Sequence, residues 1–135
     1  MSLFRKQRRP PPAKEIRRIK EEVLETIFES ARETHPLEFA GALRASGDTI
    51  VEVILIPGTI SGDEHAILRT FMLPIDLSIV GSVHSHPSPS PFPSSADLQM
   101  FKNFGRVHII AAFPYNMDSW RAYNSAGQSI VLEVV

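Results

Sequence analysis

The chain has 135 residues, of which 43% are hydrophobic, and this fits one domain large enough to bury a core. It contains no cysteine, so disulfides, thiolate metal sites and cysteine nucleophiles are excluded. The formal net charge is −1. The sequence shows no apolar run long enough to cross a bilayer and no signal-peptide stretch, so we expect a cytoplasmic protein without a membrane span.

Positive charge is concentrated at the start of the chain. The first 20 residues hold eight of the fourteen Lys and Arg side chains, and Glu15 is the one acid among them. Residues 1–13 add three consecutive prolines, a composition typical of a flexible arm. Such an arm can bind nucleic acid or an acidic partner. Because no aromatic side chain lies between its four cations, we interpret it as a solubilising tail and do not expect nucleic acid as a partner.

The first half of the remaining chain predicts a helix followed by a hairpin. Apolar residues recur at helical spacing from residue 14 to about 34, and Pro36 marks the end of this helix. Residues 38–45 and 49–56 predict two strands joined by a turn at 46–48. A loop over 57–64 and a further strand over 65–73 are expected next.

The second half predicts strands around one more helix. In the strand expected over 77–86, Gly81 allows another backbone to approach closely. A stiff proline-rich loop over 87–93 and a helix over 95–104 follow. The apolar run 107–113 predicts a strand covered on both faces, and residues 120–123 and 129–135 predict a final hairpin. Residues 14–135 are therefore expected to form one α/β domain with a mixed sheet and two flanking helices.

Three metal-binding side chains lie close together in the second half of the sequence. His84 and His86 occupy positions i and i+2 of a predicted strand, so both can face one site. Asp97 can provide a third ligand from the start of the following helix. Two imidazoles and a carboxylate suit zinc, and three protein ligands leave a fourth position for water, as in catalytic sites.

Each part of this pattern also has a structural interpretation. Ser94-x-x-Asp97 resembles a helix capping box, and a lone His-x-His pair is often a packing feature. A general base is still needed, and Glu38 is notable because an apolar segment follows it. His35, His65 and His108 have no partners at ligand spacing and are interpreted as surface or core residues. Ser85 faces away from the two histidines and is expected to be structural.

Together these residues resemble the motif of the JAMM (MPN+) metalloproteases. That motif consists of an upstream Glu, then His-Ser/Thr-His-Pro, then Ser-x-x-Asp, and it is similar to Glu38, the segment 84–87 and the segment 94–97 of this sequence. The resemblance extends from about residue 14 to the end. It implies the MPN fold, which is cytidine-deaminase-like, with a mixed sheet flanked by an N-terminal helix and a helix after the metal-binding loop.

The resemblance also implies the role of each residue. His84, His86 and Asp97 would bind one Zn²⁺ with a water at the fourth position. Glu38 would take a proton from this water and deliver it to the leaving amine. Ser94 would donate a hydrogen bond to the oxyanion.

The expected activity is hydrolysis after the C-terminal glycine of ubiquitin-fold small modifier proteins, either in conjugates or in precursors. Long insertions of the kind found in eukaryotic relatives are not visible, which indicates a compact prokaryotic, archaeal-like member. Two alternatives remain open at the level of sequence. One is a non-haem Fe(II) oxygenase that uses the same two histidines and carboxylate, and the other is a non-enzymatic MPN interaction module.

Overall fold

A computed structural model gives the structure of the protein and describes residues 15–55 and 77–135. Two helices and eight strands lie in these ranges. They are β1 (Arg18–Ile19), α1 (Glu21–Thr34), β2 (Ala40–Ser46), β3 (Thr49–Leu55), β4 (Ile79–His86), α2 (Ser95–Asn103), β5 (Val107–Ala112), β6 (Trp120–Tyr123), β7 (Ser129–Ile130) and β8 (Glu133–Val134). The predicted arm (1–13), loop (57–64) and strand (65–73) lie outside the described residues.

The described strands form one mixed sheet in the order β7-β6-β5-β4-β2-β3-β1-β8. The pairs β4–β5, β1–β3 and β1–β8 are parallel, and the other neighbouring pairs are antiparallel. The strand β4, which carries both predicted histidine ligands, lies near the centre of this order. The predicted α/β class with a mixed sheet and two flanking helices is confirmed.

The sheet is strongly curled. Strands β7 and β8 are at opposite ends of the strand order, yet only two residues of chain separate Ile130 from Glu133. An extended chain spans at most about 11 Å over that distance. A flat sheet of eight strands would be about 34 Å wide, because neighbouring strands lie about 4.8 Å apart. The two edges must therefore approach each other.

The prediction of one helix from residue 14 to 34 is wrong in its first part. The helix α1 begins at Glu21, and the preceding residues run extended and pair with β3 and β8. Ile16 and Ile19, which we placed on a helix face, are buried from this extended segment. Two isoleucines three residues apart fit either conformation, and pairing with two distant strands decided between them.

The predicted final hairpin is also only partly correct. Residues 120–123 form β6, but within 129–135 only Ser129–Ile130 pairs with it. The chain then crosses to the other edge of the sheet, where Glu133–Val134 pairs with β1. Hydrophobic alternation within residues 129–135 cannot distinguish β6 from β1 as the pairing partner, since a strand beside either one buries one face.

The sheet separates two clusters of buried side chains. The helix α1 covers the larger cluster on one face, with Val23, Leu24, Ile27, Phe28 and Ala31 turned inward. The helix α2 covers the smaller cluster on the other face, where Phe101 and Met100 pack. Every residue of β5 is buried, as predicted for a strand covered on both sides.

A close backbone approach at Gly81 is confirmed. A Cβ atom at this position would overlap the carbonyl oxygen of Val107 on the neighbouring strand β5. Gly81 thus permits the parallel pairing that places the carboxyl ends of β4 and β5 side by side. Neither helix in the described part of the chain is long and apolar enough to cross a membrane.

Candidate metal centre

Three side chains converge where β4 ends and α2 begins. His84 and His86 project from the same face of β4, and Asp97 reaches them from the first turn of α2. The Nε2 atoms of the two histidines lie 3.2 Å apart. Oδ1 of Asp97 is 3.1 Å from Nε2 of His84, and Oδ2 is 3.2 Å from Nε2 of His86. Among the described residues, these three are grouped closely enough to hold one metal ion.

The spacing and chemistry of these donors fit zinc. Donor atoms around a tetrahedral zinc ion are roughly 3.3 Å apart, given bonds of about 2.0–2.1 Å. The three donor pairs measured here fall at 3.1–3.2 Å. His84 and Asp97 are 4% and 6% exposed, so water competes little for their donor atoms. Two imidazoles and one carboxylate can hold the ion and leave a position for a reactant.

The imidazole of His86 is oriented by the loop that follows β4. Its Nδ1 donates to the carbonyl oxygen of Ser90 at 3.0 Å, which leaves the Nε2 lone pair directed at the cluster. The hydrogen bond to Asp97 raises the pKa of His86 against the opposing effect of burial, and the Ser90 carbonyl and the negative charge of Glu38 also raise it. The ring therefore lies in a negative environment that favours any cation.

Asp97 is ionised and fixed by its helix. Burial acts to raise its pKa, but hydrogen bonds to His84 and His86 outweigh burial and hold the pKa well below its usual range. The Asp97 carboxylate also accepts the backbone N–H of Ser94 at 2.9 Å. This contact places the carboxylate at the helix N-terminus and at the metal centre together.

Ser94 caps the helix α2, as the capping-box interpretation predicts. Its Oγ accepts the backbone N–H of Asp97 at 3.1 Å, which completes the reciprocal box. A hydroxyl that accepts one hydrogen bond still has its own proton to donate. The side chain is exposed, so that proton can reach a ligand. Capping and donation to a substrate are thus compatible.

Glu38 lies just before β2 and is exposed. The predicted strand beginning at residue 38 in fact begins at Ala40, and the N–H of Phe39 donates to the side chain of Ser85 on β4. Ala40 is paired with His84, so the segment before it lies beside the ligand end of β4. The hydrogen bond to Asp97 is the main cause that raises the pKa of His86, and burial is the main cause that raises the pKa of Tyr115; the negative charge of Glu38 adds to both.

The other residues singled out in the sequence have structural positions. Ser85 is fully buried on the opposite face of β4 from the histidines. His108 is also fully buried, and His35 is exposed. His65 lies outside the described residues. Sequence reasoning missed the contact between His35 and Tyr115, because these residues are 80 positions apart and carry no motif.

The proline-rich loop is fastened to the neighbouring strands. The N–H of Phe113 donates to the carbonyl oxygens of His86 and Ser88, both at 3.1 Å. The hydroxyl of Tyr123 donates to the carbonyl of Pro91 at 2.6 Å. Further along the loop, the guanidinium of Arg121 lies 5.1 Å from the ring centre of Phe92. These contacts hold the segment between the two histidines and Asp97.

Comparison with known proteins identifies a family. The prokaryotic homologs of the JAB domain match residues 20–123. A curated protein of Haloferax volcanii, described as a probable metalloprotease, is 37% identical across 100% of this chain and 85% of its own length.

Two solved structures share the fold over most of the chain. A JAB1/MPN domain protein of Archaeoglobus fulgidus is 42% identical with a TM-score of 0.72, over 87% of this chain and 98% of that one. A structure described as JAMM, a metalloprotease-like zinc site in the proteasome and signalosome, is 38% identical with a TM-score of 0.71, over 89% and 98%.

Proposed function

Because the chain belongs to the JAMM/MPN+ family, among the prokaryotic homologs of the JAB domain, we propose that it is a zinc-dependent peptidase and isopeptidase. Its proposed reaction is hydrolysis after the C-terminal glycine of ubiquitin-fold small modifier proteins. The chain is a metalloprotease homologue with a His-His-Asp metal site. The observation that carries the proposal is the convergence of His84, His86 and Asp97 beside the segment that carries Glu38.

Zinc held by Nε2 of both histidines and by Asp97 supplies, when bound, a water of lowered pKa and a Lewis acid for the scissile carbonyl. Glu38 accepts the proton of the attacking water and returns it to the departing amine. Its exposure allows it to meet solvent and substrate alike. Ser94 donates its free hydroxyl proton to the substrate carbonyl oxygen as negative charge develops there.

The surroundings of the site favour a polypeptide substrate. Leu37, Phe92 and Phe113 are 56%, 58% and 42% exposed. Leu37 precedes Glu38, Phe92 lies in the loop before Asp97, and Phe113 is hydrogen-bonded to the backbone after His86. Exposed apolar side chains grouped around a site are typical of surfaces that bind another protein. A diglycine tail has no side chains, so it can bring its scissile carbonyl to the metal centre with little steric hindrance.

The direct test is cleavage of defined substrates. The purified full chain is loaded with zinc and incubated with linear fusions and lysine conjugates of the host's own ubiquitin-fold proteins. Mass spectrometry of the products should show a new terminus after the modifier's last glycine, and a zinc chelator should abolish it. The reaction should proceed equally without oxygen, which separates hydrolysis from Fe(II) oxygenase chemistry. Absence of cleavage in every zinc-loaded sample would refute the proposal.

Substitution of Glu38 tests the general base. Glu38→Gln should keep the zinc affinity and lower turnover by about 10²–10⁴-fold, because the amide cannot accept a proton. Zinc content and turnover are measured on the same preparation. Glu25→Gln, on the exposed face of α1, makes the same chemical change away from the site and should hydrolyse at the wild-type rate. Wild-type turnover in Glu38→Gln would remove Glu38 as the base.

A further inference from the structure

Tyr115 lies beside the segment that carries Glu38 and has no part in the mechanism above. Its side chain is 1% exposed. Burial raises its pKa, and the negative charge of Glu38 raises it further. The hydroxyl therefore keeps its proton at neutral pH and is available as a hydrogen-bond donor.

The hydroxyl of Tyr115 contacts the turn that leads from α1 to Glu38. It lies 2.7 Å from Nδ1 of His35, within hydrogen-bond distance. The His35 ring also stacks on Phe113, with ring centres 5.1 Å apart. The backbone N–H of His35 donates to Ala31 in the last turn of α1. His35 is thus fixed through both its ring and its backbone.

The backbone of Tyr115 is held in an uncommon conformation. Its φ is +62°, in the left-handed region that residues other than glycine rarely adopt. Such a residue persists only where its surroundings fix it. Here the guanidinium of Arg32 donates to the Tyr115 carbonyl at 2.7 Å, and the Tyr115 N–H donates to Ala112 at 2.8 Å. With this conformation, the Tyr115 side chain reaches His35 in the turn that follows α1.

A second anchor lies on the other side of Glu38. The N–H of Phe39 donates to Oγ of Ser85 at 2.8 Å, and the N–H of Ser85 donates to the Phe39 carbonyl at 2.9 Å. Glu38 therefore lies between a fixed His35 and a fixed Phe39. These two anchors hold the backbone from which the exposed Glu38 side chain projects.

We infer that Tyr115 is a positioning residue for Glu38: its hydroxyl fixes His35 and thereby keeps the Glu38 carboxylate beside the metal centre. The inference rests on the proposed function, since only that function makes Glu38 the general base. Tyr115 acts through the backbone of residues 35–38, and its loss should reduce turnover while leaving the ligands in place.

The test is Tyr115→Phe in the full zinc-loaded chain, which removes only the hydroxyl. We expect kcat to fall on the order of tenfold to a hundredfold, while KM and the zinc affinity stay unchanged. Exchange of the Leu37 amide, which donates to Thr34, should become faster in the zinc-free and zinc-loaded protein. His35→Ala should reproduce both effects, whereas His35→Gln, which keeps an acceptor, should restore part of kcat.

Tyr123→Phe is the matched control. Tyr123 is 3% exposed, and its hydroxyl donates to Pro91 on the far side of the site. This variant should leave exchange of the Leu37 amide at its wild-type rate. Wild-type kcat and exchange in Tyr115→Phe would overturn the inference, as would a loss of zinc affinity that accounts for the fall in kcat. If the wild-type chain cleaves no substrate, the proposed function fails. The exchange rate of the Leu37 amide in Tyr115→Phe still tests the contact between Tyr115 and His35 independently, and an unchanged rate would refute its role.

Discussion

His108 illustrates how a single buried side chain links the sheet to the helix that carries Asp97. Its ring stacks on Phe101 of α2, with centres 4.3 Å apart and an angle of 11° between the rings. Its Nδ1 lies 2.7 Å from Oγ of Ser82 on β4. Burial is the main cause that lowers the pKa of His108 from its ordinary 6.5 to about 3, and electrostatic repulsion by His84 adds to it. The ring is therefore neutral in the folded protein.

The lowered pKa of His108 predicts a loss of stability in acid. Between pH 6.5 and 3 the unfolded chain binds a proton at this residue and the native protein does not, so the unfolding free energy falls as pH falls. The slope approaches about 1.4 kcal/mol per pH unit. Urea unfolding of zinc-free protein at pH 7 and pH 5 measures it. His108→Gln and His108→Phe should both have a smaller difference between the two pH values than the wild type. An unchanged difference in both variants would contradict the assignment.

At the scale of elements, the junction of the proline-rich loop and α2 combines a helix cap with a metal ligand. The Asp97 carboxylate accepts the N–H of Ser94 and faces both histidines. The cap therefore sets the ligand's position, and the fastened loop sets the position of the cap. The capping interpretation of Ser94-x-x-Asp97 is confirmed, and it is compatible with the metal interpretation because the carboxylate has enough lone pairs for both contacts.

Ser94→Gly separates the cap from the proposed hydroxyl donor. Glycine is tolerated as an N-cap at a cost of a few tenths of a kcal/mol, and the backbone N–H that binds Asp97 remains. Stability and zinc affinity should therefore stay close to wild type, while turnover falls about a hundredfold or more. Ser94→Thr keeps the hydroxyl and is the matched control. Near wild-type turnover in Ser94→Gly would leave Ser94 with its capping role alone.

For the whole molecule, the curled sheet depends on the short strand β1. Ile19 is fully buried and lies between β3 and β8, so β1 joins the edge strand β8 to the rest of the sheet. The carbonyl of Val135, just after β8, accepts the N–H of Glu21 and holds the start of α1. The pairing of β1 with β3 and β8 could not be predicted from the sequence, where the same residues fit a longer helix.

Truncation of Ile19 should destabilise the entire domain. Ile19→Ala is expected to lower the unfolding free energy by about 2–5 kcal/mol, since it leaves a cavity in the core beside β3 and β8. Arg18→Ala changes the neighbouring residue, whose exposed ion pair with Glu133 contributes at most about 1 kcal/mol. Urea unfolding of both variants measures the contrast. If both substitutions lowered the unfolding free energy equally, burial of the Ile19 side chain would not stabilise the domain as proposed.

The His-His-Asp cluster, the capping box and most element boundaries could be predicted from the sequence alone. These depend on residues close in the chain: i and i+2 on a strand, i and i+3 at a helix start, and apolar runs of one length. The three ligands, Ser94 and the fully buried strand β5 could all be predicted in this way. The roles of Glu38 and Ser94 in catalysis remain predictions, as does the separation of residues 1–13 from the domain.

The tertiary structure was needed to establish which distant segments meet. It shortened α1, divided the last segment between the two edges of the sheet, and brought Tyr115 to His35 beside Glu38. The pairing of β1 with β8 and the contact of Tyr115 with His35 join residues 80 or more positions apart. Local periodicity carries no information about such pairings, since a strand or a turn buries the same side chains against any suitable partner.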